Sequence, residues 1–246
     1  MTLKGRHYWL VGASEGLGRA LALELTGRGA HLTVSARSEG RLKDLARDVG
    51  TDVQVLPLDV TDTDAVARAA DEIGDIDGIV YLAGYYEPMK AGDWDPEAVE
   101  TMMDVNLMGA VRVLGRIVPA FAARGSGHIV VTGSLSGYRG LPGAIGYGAS
   151  KSALMHLTET IRSDLWHTGV KVQLINPGFI RTRLTDKNDF NMPFLMDADE
   201  AAIRFADAME RDRFKTDFPW LFSLVFRFSR WLPQGLYQRL FAKAKS

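Results

Sequence analysis

The residue pair that most directly suggests catalysis is Tyr147 and Lys151, which stand four positions apart. On a helix, side chains at this spacing lie on one face, so the phenol and the ammonium can approach each other. A phenol has an ordinary pKa of about 10, too high for efficient proton transfer at neutral pH. An ammonium at about 4.5 Å would lower that pKa by roughly two to three units. The pair predicts a proton donor or acceptor at Tyr147, although Tyr-x-x-x-Lys alone is a weak motif.

A second candidate site is the glycine-rich turn that follows the first apolar run of the chain. The three glycines have the spacing Gly-x-x-x-Gly-x-Gly, and a helical pattern begins at once. A strand, a glycine turn and a helix in this order place backbone N–H groups and a positive helix end at one point, which suits a pyrophosphate. A tight loop without a ligand is the alternative. The predicted cofactor contacts of this turn are Gly12, Ser14, Glu15, Gly16, Leu17 and Gly18.

The end of the second apolar run indicates which dinucleotide binds. A carboxylate there would accept hydrogen bonds from the ribose 2′-hydroxyl of NAD, but the segment from Ser35 to Ser38 contains Arg37 and no acidic residue. A guanidinium suits a 2′-phosphate, so Arg37 favours NADP over NAD, with a solvated surface arginine as the alternative. Glu15 is a counter-argument if its carboxylate faces the same phosphate.

Six short apolar runs must position these groups. Most are rich in β-branched or aromatic residues, which is typical of buried strands. Helical segments separate them, with a start signal at Asp95-Pro96, a capping-box pattern at 61–64 and a stop signal at Gly50. This alternation predicts an α/β fold, a single-domain Rossmann-type doubly wound parallel sheet. The runs are 7–11, 31–35, 53–58, 78–82, 128–132 and 170–175.

Composition narrows the function further. A formal net charge of −1 over 246 residues offers no basic excess for a nucleic-acid partner. With no cysteine, disulfides and thiolate sites are excluded, and no metal site is predicted. The opening MTLKGRHYWLVGAS lacks a secretory apolar run, and no stretch of about 18 uncharged apolar residues occurs. We therefore expect a cytoplasmic protein without a membrane-spanning helix.

The order of the remaining motifs resembles the short-chain dehydrogenase/reductase family over nearly all of residues 5–185. The interval of thirteen residues from Ser134 to Tyr147 matches that family, as does the step to Lys151. Two places depart from its pattern, Val11 where threonine is usual and Tyr81-Leu82 where two asparagines are usual. The matching segments are Gly12 to Gly18, Leu58-Asp59-Val60, Leu82-Ala83-Gly84, Asp104 to Leu107, Gly133 to Gly137, Tyr147 to Lys151 and Asn176 to Thr182.

The resemblance implies a catalytic role for four residues. Ser134 would bind the substrate oxygen, and Tyr147 would exchange a proton with it. Lys151 would lower the tyrosine pKa and hold the nicotinamide ribose hydroxyls, while Asn106 would organise a water in the proton relay. Two of these residues also have a structural interpretation, Ser134 as a turn residue and Asn106 at a helix kink.

The resemblance also implies cofactor contacts outside the glycine turn. They would surround the adenine, its ribose and the nicotinamide in that order along the chain. Asp59 has an alternative role as a helix-entry cap. The implied contacts are Asp59, Val60, Ala83, Gly84, Asn106, Tyr147, Lys151, Pro177, Gly178, Ile180 and Thr182.

These residues together imply an NADP(H)-dependent oxidoreductase that moves a hydride between the nicotinamide and a carbonyl or alcohol. Residues 1–185 would form the dinucleotide-binding and catalytic core, and 186–246 the substrate-loop region and a helical extension of the same domain. The family is commonly dimeric or tetrameric, so a homodimer or homotetramer is expected. The alternative is a non-catalytic NADP-binding sensor or regulatory protein on the same fold.

The carboxyl-terminal segment 218–241 is aromatic-rich and is interleaved with arginines, and no acidic residue follows Asp217. Three interpretations stay open. The segment could pack between subunits or as extra core helices, lie on an anionic membrane surface, or form a lid over the active site. A membrane surface or a lid would indicate an apolar substrate. The polar stretch 186–189 predicts a mobile loop near the substrate opening.

Overall fold

The computed structural model describes residues 2–50, 53–189 and 192–242. Its centre is a seven-stranded parallel sheet with the strand order β3-β2-β1-β4-β5-β6-β7. The order reverses between β1 and β4, as in a doubly wound Rossmann fold. The strands are β1 His7–Val11, β2 His31–Ser35, β3 Val53–Val55, β4 Gly78–Tyr81, β5 Ser126–Thr132, β6 Gly169–Pro177 and β7 Lys215–Phe218.

Helices cover both faces of the sheet. Strand side chains alternate between the faces, so Leu10 joins one buried cluster with Leu21 and Phe205, and the next residue, Val11, joins the other with Val113. The predicted α/β class and doubly wound sheet are confirmed. The helices are α1 Gly16–Gly27, α2 Glu39–Val49, α3 Thr63–Ile73, α4 Pro96–Met103, α5 Gly109–Arg124, α6 Ile145–Asp164, α7 Ala198–Glu210, α8 Trp220–Ser229 and α9 Gln234–Ala242.

Local signals set several helix ends as predicted. Gly50 ends α2 in the left-handed conformation, and Asp95 caps α4 ahead of Pro96. The segment 61–64 is not a capping box from Thr61. Instead the Asp62 carboxylate caps α3 by accepting from the backbone N–H groups of residues 64 and 65, each at 2.9 Å. Asp62 caps the helix in place of Thr61 because its carboxylate stands two and three residues before the free N–H groups, which is the usual N-cap position.

Two strands differ from the sequence prediction. The run 53–58 is a strand only to Val55, because Pro57 has no N–H group to donate. Strand β7 was not predicted, since its sequence KTDF has one buried residue and no apolar run. It lies at the edge of the sheet beside β6, where few of its side chains need to be apolar. Residues beyond 185 thus add a strand to the same sheet.

A π-helical turn, Asp104–Met108, joins α4 to α5 in one continuous run. By length and composition alone, the run Pro96–Arg124 is apolar enough to cross a membrane. Here Val113, Ile117 and Phe121 are buried in the core against the sheet. The run is therefore a core helix of the α/β layer.

Candidate active site

One cleft lies at the carboxyl ends of the strands, beside the switch between β1 and β4, and has a volume of about 490 Å³. Every residue predicted from sequence as a site residue lines it, except Asn106. The lining residues from that prediction are Gly12, Ser14, Glu15, Gly16, Leu17, Gly18, Arg37, Asp59, Val60, Ala83, Gly84, Ser134, Tyr147, Lys151, Pro177, Gly178, Ile180 and Thr182.

The glycine turn at one end of the cleft depends on the missing side chains of two glycines. A Cβ on Gly18 would lie 1.9 Å from the carbonyl oxygen of Gly12. Gly12 itself has φ +102°, and its Cβ would lie 2.5 Å from the backbone nitrogen of Ala83. Helix α1 starts here, and the Glu15 side chain does not cap its first N–H groups. The turn therefore presents donors and a helix dipole to an anionic group.

Charged side chains surround this end of the cleft. The Glu15 carboxylate is held by Arg41 at 2.6 Å and Arg183 at 2.8 Å, neither of which the sequence predicted as a site residue. Arg37 is exposed at the cleft, and none of the ion pairs found among residues 2–50, 53–189 and 192–242 includes it. Because two arginines neutralise the Glu15 carboxylate, it is a weaker argument against a 2′-phosphate at this end of the cleft.

The predicted catalytic side chains meet at the centre of the cleft. Ser134 follows β5, and its hydroxyl oxygen accepts hydrogen bonds from the Ser136 N–H at 3.2 Å and the Ser136 hydroxyl at 2.9 Å. A side-chain hydrogen bond also links Ser134 to Tyr147, which α6 carries one turn before Lys151. The Lys151 Nζ is buried and donates to the carbonyl oxygen of Thr132 at 3.0 Å.

The electrostatics differ from the expectation that Lys151 lowers the tyrosine pKa. Burial raises the pKa of Tyr147, although its ring is only half-buried, and the hydrogen bond with Ser134 acts in the opposite direction. Burial lowers the pKa of Lys151 to about 8. The Lys151 Nζ lies 5.8 Å from the centre of the Tyr147 ring. Helical spacing places both residues on one face, but the Thr132 carbonyl decides where the amine points.

Asn106 lies beside the cleft, in the π-helical turn, and is fully buried. Its Oδ1 accepts from the Tyr85 N–H at 2.7 Å, and its Nδ2 donates to the Tyr85 carbonyl at 2.9 Å and the Ser150 hydroxyl at 2.9 Å. The side chain thus ties the segment after β4 to α6, and the position in the π-helical turn is compatible with the structural interpretation at a helix kink. Its relay role stays a prediction.

Asp59 also has a structural partner. One of its carboxylate oxygens accepts from the backbone N–H of Thr61 at 2.9 Å and from the Thr61 hydroxyl at 2.8 Å. The residue therefore stabilises the turn ahead of α3, whose cap is Asp62. It still lines the cleft, so the predicted adenine contact is sterically open.

At the far end, the cleft is bounded by a residue that sequence reasoning missed. The Tyr86 ring packs edge-to-face on Tyr147, with 5.0 Å between ring centres, and its hydroxyl donates to Asn188 Oδ1 at 2.8 Å. Lys187 also pairs with Glu87 at 2.6 Å. Asn188, in the stretch 186–189, lines the cleft, and these bonds tie the stretch to the segment after β4. The mobility of this stretch stays a prediction. The only available signal for Tyr86 was its place just after Ala83-Gly84.

Helix α8 closes the same end with aromatic side chains. Phe222 and Phe226 line the cleft, and the Phe222 ring lies 5.8 Å from that of Phe179 and 5.6 Å from that of Phe194. The inner face of α8 therefore matches the lid interpretation of the tail. The aromatic composition was visible in the sequence, but packing determines which rings face the cleft.

Comparisons with known proteins find similar sequences and similar folds. A family model described as short chain dehydrogenase matches residues 6–192. An uncharacterized oxidoreductase of Myxococcus xanthus is 38% identical over 235 residues, covering 93% of both chains. A short chain dehydrogenase from Burkholderia cenocepacia, solved in complex with NADP, has a TM-score of 0.86 at 28% identity and covers 98% of this chain and 99% of its own. An alcohol dehydrogenase from Thermococcus sibiricus, complexed with 5-hydroxy-NADP, has a TM-score of 0.78 at 25% identity, covering 87% of this chain and 95% of its own.

Proposed function

Because the chain belongs to the short-chain dehydrogenase family of oxidoreductases, we propose that it transfers a hydride between NADP(H) and an apolar carbonyl compound or secondary alcohol. One observation carries the proposal. Ser134, Tyr147 and Lys151 line the same cleft as the glycine turn, so a reacting group and a dinucleotide can meet there. A chain that only sensed the dinucleotide would not need a hydrogen-bonded serine and tyrosine at that point.

The cofactor end of the cleft fits a phosphorylated dinucleotide. The space beside Gly12 and Gly18 and the uncapped start of α1 suit a pyrophosphate, and the Arg37 guanidinium suits a 2′-phosphate. Two of the similar solved structures hold NADP or a derivative of it, which supports the same choice. When bound, the nicotinamide would supply or accept the hydride.

The residues of the chain would handle the substrate oxygen and its proton. The Ser134 hydroxyl is placed to orient the oxygen, and Tyr147 to give its phenolic proton as negative charge develops there. Burial raises the pKa of this phenol, so it carries its proton in the free enzyme, and the Ser134 hydrogen bond acts in the opposite direction. The buried Lys151 amine would add positive charge in a region of low dielectric, where it acts strongly on the developing anion.

The substrate end favours an apolar compound. Phe179, Phe222 and Phe226 line this end of the cleft, and Tyr86 packs edge-to-face on Tyr147. Such a lining gains free energy by burying alkyl or aryl surface and offers few polar partners. The cytoplasmic location and the homodimeric or homotetrameric state stay predictions.

The direct test is the oxidation of NADPH, and of NADH in parallel, against aldehydes and ketones with alkyl chains of increasing length. We expect turnover with NADPH and a KM that falls as the chain lengthens. Tight NADPH binding without reduction of any carbonyl, or oxidation of any alcohol, would support the sensor function instead.

Arg37→Gln tests the cofactor preference separately. The loss of a charge-assisted contact should raise the Kd of NADPH about 10- to 100-fold and leave that of NADH unchanged. Arg47→Gln on the solvent side of α2 is the matched control, because Arg47 is exposed and pairs only with Asp44 among the described residues. Equal losses for both cofactors would contradict the 2′-phosphate role.

A further inference from the structure

The outward side of α8 is an exposed apolar surface. Trp220, Leu221, Val225 and Phe228 are 63, 53, 49 and 64% exposed, and Trp231, in the turn after the helix, is 87% exposed. At about 100° per residue, the four helical positions fall within an arc of roughly 140°. We call these five residues the outer tail face. Helices at a protein surface normally present polar residues there, so this face indicates a partner.

On the inner side of the same helix, the polar side chains have hydrogen-bond partners and the apolar ones are buried. Ser223 and Ser229 are buried, and their hydroxyls donate to the carbonyls of Trp220 and Phe226, each at 2.7 Å. Phe226 is buried towards the cleft. Turning the helix over would bury the outer tail face only by exposing Phe226. The outer side of α8 is therefore apolar and exposed because the helix packs in this orientation.

Arg139 fixes the helix in this pose. Its guanidinium donates to the carbonyls of Ser229 and Leu232, at the carboxyl end of α8, and stacks on the Tyr237 ring at 4.0 Å. The Tyr237 hydroxyl donates to the carbonyl of Gly140 at 2.8 Å. Because several bonds hold both tail helices, the exposed aromatic residues sit on an ordered scaffold.

The charged side chains that the tail segment after Asp217 contributes are all basic. Arg227 and Arg230 are exposed at its border, and Arg239 is exposed on α9. No aspartate or glutamate follows Asp217 in the sequence. Two further basic residues of the tail, Lys243 and Lys245, lie outside the described residues. The surface is therefore complementary to a negatively charged partner.

A second copy of this chain is a poor candidate for that partner. In a two-fold dimer the same patch faces itself, so the arginines of one copy would approach a tail surface that supplies arginines and no aspartate or glutamate. An anionic lipid surface lacks this conflict. Tryptophan side chains favour the boundary between hydrocarbon and headgroups, and arginines beside them meet lipid phosphates.

We propose that the outer tail face binds an anionic lipid surface peripherally. Helix α8 then separates the membrane from the cleft by one helix diameter, with Phe222 and Phe226 on its inner side. An apolar substrate dissolved in the bilayer would reach the cleft along this helix. That last point rests on the proposed function, whereas the lipid binding does not.

The test is co-sedimentation of the full chain with vesicles of phosphatidylcholine alone and of equal parts phosphatidylcholine and phosphatidylglycerol. We expect binding to the anionic vesicles at low salt and weaker binding at high salt. Each arginine removed in Arg227→Gln and Arg230→Gln should weaken binding roughly fivefold. Trp220→Ser with Phe228→Ser should weaken it about tenfold or more at either salt concentration.

Matched controls lie ahead of the amino ends of β6 and β7, at the opposite end of these strands from α8. Trp166→Ser removes a tryptophan that is 62% exposed, and Arg211→Gln with Arg213→Gln removes two exposed arginines. These variants should bind vesicles like the unaltered chain. NADPH affinity of every variant, measured on the same samples, reports whether the fold and the cofactor site are intact.

Two results would overturn the proposal. One is failure of the unaltered chain to sediment with anionic vesicles at low salt, whether or not it reduces carbonyls. The other is vesicle binding by Trp220→Ser with Phe228→Ser that equals that of the parent, together with a change from oligomer to monomer seen by analytical ultracentrifugation. That second result would assign the outer tail face to a subunit interface.

Discussion

At its β1 end the cleft is shaped by main chain and charge, whereas at its α8 end it is shaped by aromatic side chains. The β1 end depends on the absence of a Cβ at Gly12 and Gly18. The α8 end depends on rings such as Phe222, which contacts three other phenylalanines. A site formed by backbone accepts no added atom, while one formed by side chains can be reshaped one residue at a time. We therefore expect cofactor binding to be rigidly specified and substrate choice to be adjustable.

The largest effect should come from Tyr147→Phe, at the junction of the two ends. Loss of the phenolic proton should lower kcat by about 10²- to 10⁴-fold, since a positioned general acid contributes that much. The Kd of NADPH should stay unchanged, because both ends of the cleft are intact. Steady-state kinetics and fluorescence titration measure the two quantities.

Tyr85→Phe is the control for this change, because the Tyr85 side chain does not line the cleft and its hydroxyl bonds Glu87. That variant should keep the normal rate. Near-normal turnover in Tyr147→Phe would remove the residue from the mechanism.

Gly18→Ala would test the backbone-shaped end. The new Cβ would collide with the Gly12 carbonyl, so the turn must move. We expect the free energy of unfolding to fall by about 1–3 kcal/mol and NADPH affinity to fall about tenfold or more. Urea denaturation and titration with NADPH measure these changes.

Gly27→Ala provides a control on the same helix, because nothing lies within 4 Å of its Cβ position. Alanine there should be neutral or stabilise the chain by about 0.5–1 kcal/mol. Similar losses from both substitutions would mean that α1 tolerates no alanine in general, and the comparison would fail.

Lys151→Met would show how much the buried amine at the junction of the two ends lowers the free energy of unfolding. Burial lowers the pKa of Lys151 from 10.5 to about 8, so the unfolded chain binds this proton more tightly than the folded one. The folded chain is therefore penalised below pH 8 and regains stability as the pH rises from about 8 to 10.5. At neutral pH the variant should be more stable by about 1–3 kcal/mol, allowing for the lost bond to Thr132, and nearly inactive.

Urea denaturation at neutral and alkaline pH measures this difference, which should shrink at the higher pH. Lys43→Met is the control, because Lys43 is exposed and pairs with Glu39 on α2. A variant less stable than the parent at neutral pH would show that the Lys151 contacts outweigh its burial.

The smallest effect should come from Arg139→Ala at the aromatic end. Its bonds to the α8 carboxyl end are local, so the global free energy of unfolding should fall by only about 1–2 kcal/mol. Amide hydrogen exchange should become faster in α8 and α9 but not in α1. Arg162→Ala, which removes stacking on Trp166 and Phe214, should leave exchange in the tail unchanged. Unchanged exchange in Arg139→Ala would show that this residue does not hold the tail.

Much of the fold could be predicted because its signals are local. Runs such as His7–Val11 and stop signals such as Gly50 act within a few residues, so they are visible in the sequence. Strand β7 has no such signal, because an edge strand is stabilised mainly by pairing with a neighbour distant in sequence. The same holds for Arg41 and Arg183, which meet Glu15 from two separate segments.

The sequence by itself determined the α/β class, the glycine turn, and the spacing that brings Ser134, Tyr147 and Lys151 together, since these depend on short-range periodicity and motif order. Only the tertiary structure decided that the Lys151 amine turns to Thr132, that Tyr86 packs on Tyr147, and that α8 shows its apolar side to solvent. The physical reason is that side-chain direction and burial depend on neighbours from other parts of the chain, which spacing along one segment does not specify.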